Sequence, residues 1–301
     1  RISIPCWIST HGVKGDSVPG QSANNGASPT GTAPKKSTNW KDLRARVISA
    51  AVLVPFAGLC VWAGGLVYGG LIVLAMAGMA VEWARMFGYG LDTRRGQLSL
   101  AWAVCIGIAA IAGHWGGALL VMLAALVLGP ALGAGQVAIG CAGLSLLWLR
   151  YMSEPGAGVV LFLVACVALS DTGAYMAGRI FGGPKLAPRI SPAKTWSGSA
   201  GGLLSAVLGG MLIAGLMPGA LPGAVWRGAV FGALVAIAAQ TGDLAESALK
   251  RARGVKDSGT ILPGHGGLLD RFDGLLVAAP MAALLSLGAV GRAAFWYVGQ
   301  R

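Results

Sequence analysis

From Val47 to about residue 292 the chain is a succession of long apolar runs separated by short breaks. That pattern limits the fold more than any other feature. Charged residues make up only 11% of the 301 residues, where soluble domains carry about 25%. Mean hydropathy is +0.69. Such a chain cannot cover its apolar surface in water. It is expected to be an all-α polytopic membrane protein of about nine transmembrane helices, with a polar site formed by the C-terminal helices and their cytoplasmic loops. The 49 glycines agree, because small residues let membrane helices approach closely.

The runs fall at about 47–64, 66–87, 98–113, 115–130, 134–150, 157–180, 197–216, 225–249 and 272–292. Several are shorter than the ~20 residues of a straight span, so the count in 98–150 is the least fixed, and that region could hold two helices or four. With the N-terminus in the cytoplasm, nine spans put three groups of bases inside. These are Arg85, Arg94 and Arg95; Arg179, Lys185, Arg189 and Lys194; and Lys250, Arg251, Arg253 and Lys256. The outer loops keep His114, Arg150, Glu154 and Arg227, so the positive-inside rule holds with Arg150 misplaced. The expected address is a bacterial inner membrane, with the site facing the cytoplasm.

Residues 1–40 are rich in Ser, Gly, Pro, Thr and Asn and show no hydrophobic periodicity. They read as a disordered or non-native segment, with no signal peptide visible. Residues 41–155 read as scaffold helices and 156–301 as the catalytic region. The acids support that division, since six of eleven lie between Asp171 and Asp273. The five cysteines are scattered without CxxC spacing. Buried inert thiols are expected, with no disulfide or zinc site. Net charge is +12, which suits an anionic leaflet and anionic ligands. No basic stripe with interleaved aromatics points to nucleic acid.

Ser247 to Asp273 breaks the apolar pattern most sharply, with five bases, His265 and a Pro-Gly-His-Gly-Gly turn. A charged, glycine-rich segment between apolar runs is costly beside a bilayer, so it reads as a site. Asp243, Glu246, Ser247 and Lys250 lie at i, i+3, i+4 and i+7 and share one helix face. Acids on an apolar helix must be protonated, paired or metal-bound. Glu246 with Lys250 is also an ordinary i,i+4 pair. Asp270 and Asp273 follow at the start of the last long run. They are helix caps, or with Asp243 they form a hard oxygen site for Mg²⁺. Gly264, Gly266 and Gly267 leave room for a phosphate to meet backbone N–H groups, though the spacing is not that of a P-loop.

A second polar cluster comes earlier. Asp171 and Tyr175 stand one turn apart on a helix. A loop follows with Lys185, Arg189, Ser191, Lys194 and Thr195 among prolines 184, 188 and 192. It is a stiff anion-binding loop or a basic loop beside anionic lipid.

The run from Ser247 to Asp273 resembles the signature of the phosphatidate cytidylyltransferases (CDP-diacylglycerol synthases), S-x-x-K-R-x4-K-D-x-G-x3-P-G-H-G-G-x2-D-R-x-D, at every fixed position. Asp171-Thr-Gly-Ala-Tyr175, Gly178-Arg179, Ile190-Ser-Pro192, Lys194-Thr-Trp196 and Gln240-x-Gly-Asp243-Leu also look like that family. The resemblance covers roughly 160–292, and Ser197 departs from it, since many members carry Glu there. It implies conversion of CTP and phosphatidate to CDP-diacylglycerol and pyrophosphate, a divalent metal, and a homodimer. The family's metal aspartates would map onto Asp243 and Asp270. Glu246 and Asp273 are further metal candidates, and a monovalent ion is a candidate second cation. Lys250, Arg251, Lys256 and Arg271 would hold the triphosphate, with Ser247 and Asp257 beside them. His265 would contact phosphate or shape the loop. The loop from Lys185 to Thr195 would take the other phosphate, and which loop binds which substrate stays open. A polyprenol kinase, an enzyme using CTP on ether-linked archaeal lipids, and a transporter with intramembrane carboxylates are the alternatives.

Overall fold

The structure, a computed structural model, describes residues 40–153, 156–217, 220, 222–259, 261 and 266–287, with side chains from residue 52 onward. The expectations for residues 1–39, for Gly264 and His265, and for the stretch beyond residue 287 lie outside the described residues.

Each apolar run forms a helix. In order these are α1 (Trp40–Ala63), α2 (Gly65–Met86), α3 (Arg94–Ile111), α4 (Trp115–Ala124, continued by a 3-10 turn), α5 (Pro130–Tyr151), α6 (Gly156–Phe181), α7 (Trp196–Leu216) and α8 (Ala224–Ala252). The last run contributes a single turn, α9 (Leu269–Phe272), and then α10 (Leu275–Leu287). Among the described residues, five helices are long and apolar enough to cross a bilayer: α2, α5, α6, α7 and α8. The region 98–150 holds three helices. α3 starts at Arg94 because the Thr93 hydroxyl accepts a hydrogen bond from Gly96 N at 3.1 Å, an N-cap. α5 starts at Pro130, where the missing N–H costs nothing.

Helix α7 shows why this chain suits lipid. Its buried face is Gly198, Gly202, Ala206, Gly210 and Ala214. Its exposed face carries Leu204, Leu208, Leu212 and Leu216. Bulk points outward and small residues point inward, the reverse of a water-soluble helix. The small face lets backbones touch: a Cβ on Gly202 would meet Ser170 O of α6 at 2.7 Å, and one on Gly232 of α8 would meet Ala206 O at 2.2 Å. Helices associate in lipid through such close packing. Deeper in the bundle, Phe162 of α6 stacks on Phe231 of α8 with ring centres 4.9 Å apart.

The loop after α6 is more ordered than its prolines suggest. Strands β1 (Lys185–Ala187) and β2 (Ser191–Thr195) form an antiparallel hairpin with Lys185 opposite Thr195 and Ala187 opposite Ser191. Thr195 then caps α7, accepting from Gly198 N at 3.1 Å.

Two details of the sequence reading change. Arg150, the base on the wrong side, has a local role. It donates to Val61 O at 2.7 Å and Trp62 O at 3.2 Å, satisfying carbonyls at the end of α1. Among the described residues the four cysteines are free thiols, but they are not uniformly buried as the sequence led us to expect. Cys60 and Cys166 are buried, Cys141 is intermediate, and Cys105 is exposed on α3. An apolar helix turned to lipid can expose a thiol without contact with water.

Candidate active site

The C-terminal half of α8 gathers the chemistry. Asp243 and Glu246 are one turn apart, and Gly242 lets the turn before α10 press against them. A Cβ at Gly242 would stand 2.4 Å from Asp273 O. The close approach brings the Asp273 carboxylate to the α8 acids, so that one oxygen from each of Asp243, Glu246 and Asp273 lies within 4.8 Å of the others. Glu246 is 5% exposed, and both of its carboxylate oxygens are buried without a hydrogen-bond partner. The Lys250 ammonium stands 3.0 Å from Glu246 Oε2, an ion pair without hydrogen-bond alignment. Lys250 is shared with Asp270 and supplies only part of the positive charge that three converging, partly buried carboxylates call for. Three converging carboxylates are the donor set of a hard divalent ion such as Mg²⁺, and the residues present fit one.

Asp270, the other candidate ligand, lies outside that trio and is already satisfied. Lys250 donates to its Oδ1 at 2.7 Å. Ser258 N reaches both oxygens at 3.2 and 3.1 Å, and Gly267 N reaches Oδ2 at 3.0 Å. Burial pushes the Asp270 carboxyl up, but Lys250 and the two backbone N–H groups outweigh it and hold it below the usual carboxylate range. Lys250 thus bridges Asp270 and the metal-like trio. Gly267 is small for a reason inside the protein: a Cβ there would meet Ser258 Oγ at 2.0 Å and Asp270 Oδ2 at 2.9 Å. Gly266 beside it has φ +83°, which a side chain would resist.

A cavity of about 580 Å³ opens between α6, the hairpin, α7 and α8. Asp171, Tyr175, Arg179, Lys194, Gln240 and Asp243 supply its polar wall. Lys194 Nζ lies 2.5 Å from Asp243 Oδ2. Arg179 donates to the Tyr175 hydroxyl at 2.7 Å. Gln240 donates to Ser199 O at 3.2 Å and to Ser170 Oγ at 3.4 Å, and accepts from the Ser199 hydroxyl. It ties α8 to both neighbouring helices just above Asp243. Ser247 donates to Asp243 Oδ1 at 3.4 Å.

The remaining predicted residues are more dispersed. Thr195 lines the cavity, and Ser191 sits at the hairpin turn, half-buried. Lys185 and Arg189 are exposed on the hairpin and are not among the lining residues. Arg251 donates to Ile190 O at 3.3 Å, closing the hairpin against the end of α8. Lys256, Asp257 and Arg271 are exposed at the same end of the bundle.

The profile of the cytidylyltransferase family matches residues 44–287. The chain belongs to the cytidylyltransferase family. A protein of Brucella suis named phosphatidate cytidylyltransferase is 40% identical over 262 residues, covering 83% of this chain and 94% of its own length. One of the same name from Staphylococcus saprophyticus is 39% identical over 149 residues, covering 50% of this chain and 56% of its own. One from Mycobacterium bovis is 43% identical over 129 residues, 43% of this chain and 41% of its own. At 83% of this chain, the Brucella similarity extends well beyond the signature stretch.

In this membrane cytidylyltransferase one buried acid beside the candidate site was not singled out from the sequence. Glu82, in the last third of α2, is 0% exposed. It accepts from Leu268 N at 2.9 Å, Leu269 N at 2.8 Å and Ser258 Oγ at 3.3 Å. The signal was a single acid inside an otherwise apolar run, which is expensive unless the carboxylate has partners to hold. Ser197, where the family signature often has Glu, donates to Gly182 O and stands 3.1 Å from Thr195 Oγ1. At 197 the cytidylyltransferase uses a hydroxyl to fasten the hairpin.

Proposed function

We propose that this enzyme joins CTP to phosphatidate, giving CDP-diacylglycerol and pyrophosphate in phospholipid biosynthesis. The observation that carries the reading is the Asp243–Glu246–Asp273 cluster, built around the buried Glu246, with Asp243 reaching the wall of a cavity that also presents Arg179 and Lys194. The names of the relatives, one aligned over nearly its whole length, support the same substrates.

A phosphomonoester oxygen of phosphatidate attacks the α-phosphorus of CTP. The bond from that phosphorus to the bridging oxygen breaks, and pyrophosphate leaves with the electron pair. The attacking group is largely dianionic near neutral pH, since its second pKa is about 6, so no general base is required. The obstacle is repulsion between two polyanions. Asp243, Glu246 and Asp273 would hold Mg²⁺, which when bound offsets phosphate charge. Lys194 and Arg179 face the cavity and neutralise phosphate oxygens there. Lys250 holds Asp270 and Glu246 in register behind the cluster. Lys256, Arg251 and Arg271 lie at the cavity's end of the bundle, where the triphosphate and the departing pyrophosphate would pass. We read the chain as crossing a bacterial inner membrane about nine times, with this end in the cytoplasm, where CTP is available. Homodimer formation and a second, monovalent cation are part of the same reading.

The test is pyrophosphate release by the purified protein in detergent, with CTP and phosphatidate and with or without Mg²⁺. Release that needs all three supports the reading. Equal release with a polyprenol or an ether-linked archaeal lipid in place of phosphatidate would redirect the substrate, and no release with any lipid would end it.

A further inference from the structure

Helix α2 belongs to the N-terminal half of the chain, yet its C-terminal half faces the signature loop. A Cβ at Gly78 would stand 2.7 Å from Leu268 Cδ2. Glu82 takes the three hydrogen bonds given above. Phe87, just past the helix end, lies under Arg253 with the guanidinium carbon 3.9 Å from the ring centre. Glu82 is the polar member of this dock. It sits where a Cβ on Gly259 would meet its Oε1 at 2.5 Å, so the loop backbone lies directly on the carboxylate.

Two carboxylates therefore hold Ser258 together with the backbone of Gly267–Leu269. Glu82 holds Ser258 Oγ and the N–H groups of Leu268 and Leu269. Asp270 holds Ser258 N and Gly267 N. Ser258 is shared, through its hydroxyl on one side and its N–H on the other. Asp270 then reaches Lys250, and Lys250 reaches Glu246 of the acidic cluster. On the basis of the transfer reaction above, we propose that Glu82 is a positioning residue: it holds Ser258 in register with the Gly267–Leu269 backbone, and through them sets the placement of Asp270 and Lys250 behind the site.

Charge is essential to this role. A carboxylate accepts from all three donors at once. The amide of Glu82→Gln has the same size but offers one oxygen and an NH₂ that would face a backbone donor. The loop would have to shift or leave an N–H unpaired.

The test uses the full-length protein in detergent, with amide hydrogen exchange and steady-state kinetics on Glu82→Gln, Glu82→Asp and Ser258→Ala. In Glu82→Gln, exchange should quicken at Leu268 and Leu269, which Glu82 holds, and also at Ser258 and Gly267, whose N–H groups Asp270 holds. An increase of ~10-fold at all four is expected for loss of a shared clamp. Quickening confined to Leu268 and Leu269 would overturn the proposal, because a simple helix cap would do only that. Per folded molecule, the half-saturating CTP and Mg²⁺ concentrations should rise by about 5-fold in Glu82→Gln, with partial recovery in Glu82→Asp. A loss of turnover matched by loss of folded protein, with both half-saturations unchanged, would also overturn it. If Glu82→Gln does not fold, Ser258→Ala removes only the shared hydroxyl and should move the same amides and half-saturations in the same direction by less. No change in that variant overturns the proposal. The exchange arm needs no turnover, so a wild type inactive on CTP and phosphatidate would sink the reaction and leave the Glu82 clamp separately tested.

Discussion

Lys194 Nζ lies 2.5 Å from Asp243 Oδ2, joining the hairpin after α6 to the C-terminal half of α8. Their side chains are 23% and 36% exposed to the cavity. An ion pair this open contributes at most about 1 kcal/mol to folding. A base already drawn to an acid of the cluster is nevertheless well placed to meet phosphate oxygens. Lys194→Ala should therefore shift the melting temperature in detergent by little and cut kcat/KM by roughly 100-fold, the scale on which losing one charge-stabilising donor slows group transfer. If the contact is equal in ground and transition states the loss appears in KM, otherwise in kcat. A variant with normal kinetics would remove Lys194 from the site.

Asp270→Asn tests the node that Lys250, Ser258 N and Gly267 N share. The variant should remain in the membrane and lose at least ~100-fold in turnover, since Lys250 then has Glu246 alone as its acidic partner. It should also change the acid limb of stability. The folded pKa of Asp270 is depressed, so its stabilisation is complete above the unfolded carboxyl value of about 4 and is lost as pH falls through the lower folded value. Melting temperatures of wild type and Asp270→Asn should converge as pH drops below about 4 and separate above it. A constant difference across that range would contradict the sign of the shift.

Much of this was legible before any coordinates. The long apolar runs required helices in lipid, and each run is a helix in the structure. The spacing of Asp243, Glu246, Ser247 and Lys250 put them on one face because the helical period is fixed. The hairpin was hidden, since prolines in a basic segment look the same in a loop and at the edge of a two-stranded ribbon. Partners distant in sequence were hidden too. Glu82 and Leu269 are 187 positions apart, and nothing local in α2 says which loop its carboxylate meets. The roles of Gly242, Gly259 and Gly267 were also out of reach, because a missing Cβ only has meaning once the neighbour it admits is known. Sequence suggested that the glycines after Pro263 serve phosphate; Gly267 is packed against Ser258 and Asp270.

Gly242→Ala measures that packing directly. The new Cβ would lie 2.4 Å from Asp273 O and 3.2 Å from Val277 Cγ2. A backbone oxygen cannot step aside as a side chain can, so α8 and the turn must separate. Overpacking of this kind costs about 1–3 kcal/mol, and it moves Asp273 away from Asp243 and Glu246. The expected result is a lower melting temperature together with weaker Mg²⁺ activation. Gly70→Ala on α2, where a Cβ meets nothing within 4 Å, should change neither.

Glu246→Gln separates stability from function in the opposite sense. Both Glu246 oxygens are buried with no hydrogen-bond donor, and the residue is 5% exposed. The Lys250 ammonium, 3.0 Å from Oε2 and shared with Asp270, offsets only part of the cost of holding an ionised group there, and the neutral amide removes that cost. Lys250 is not stranded by the change, because Asp270 still accepts from it at 2.7 Å. In the absence of Mg²⁺ the variant should melt at the wild-type temperature or a few degrees above it. Added Mg²⁺ should raise the wild-type melting temperature, as any ligand of the folded state does, and leave the variant nearly unmoved. Turnover should fall by ~1000-fold if Glu246 is a ligand, the scale on which a lost charge-stabilising group slows acyl or phosphoryl transfer. Were the variant strongly destabilised without Mg²⁺ yet fully responsive to it, Glu246 would be a structural partner of Lys250, and the ion would have to be held by Asp243 and Asp273 alone.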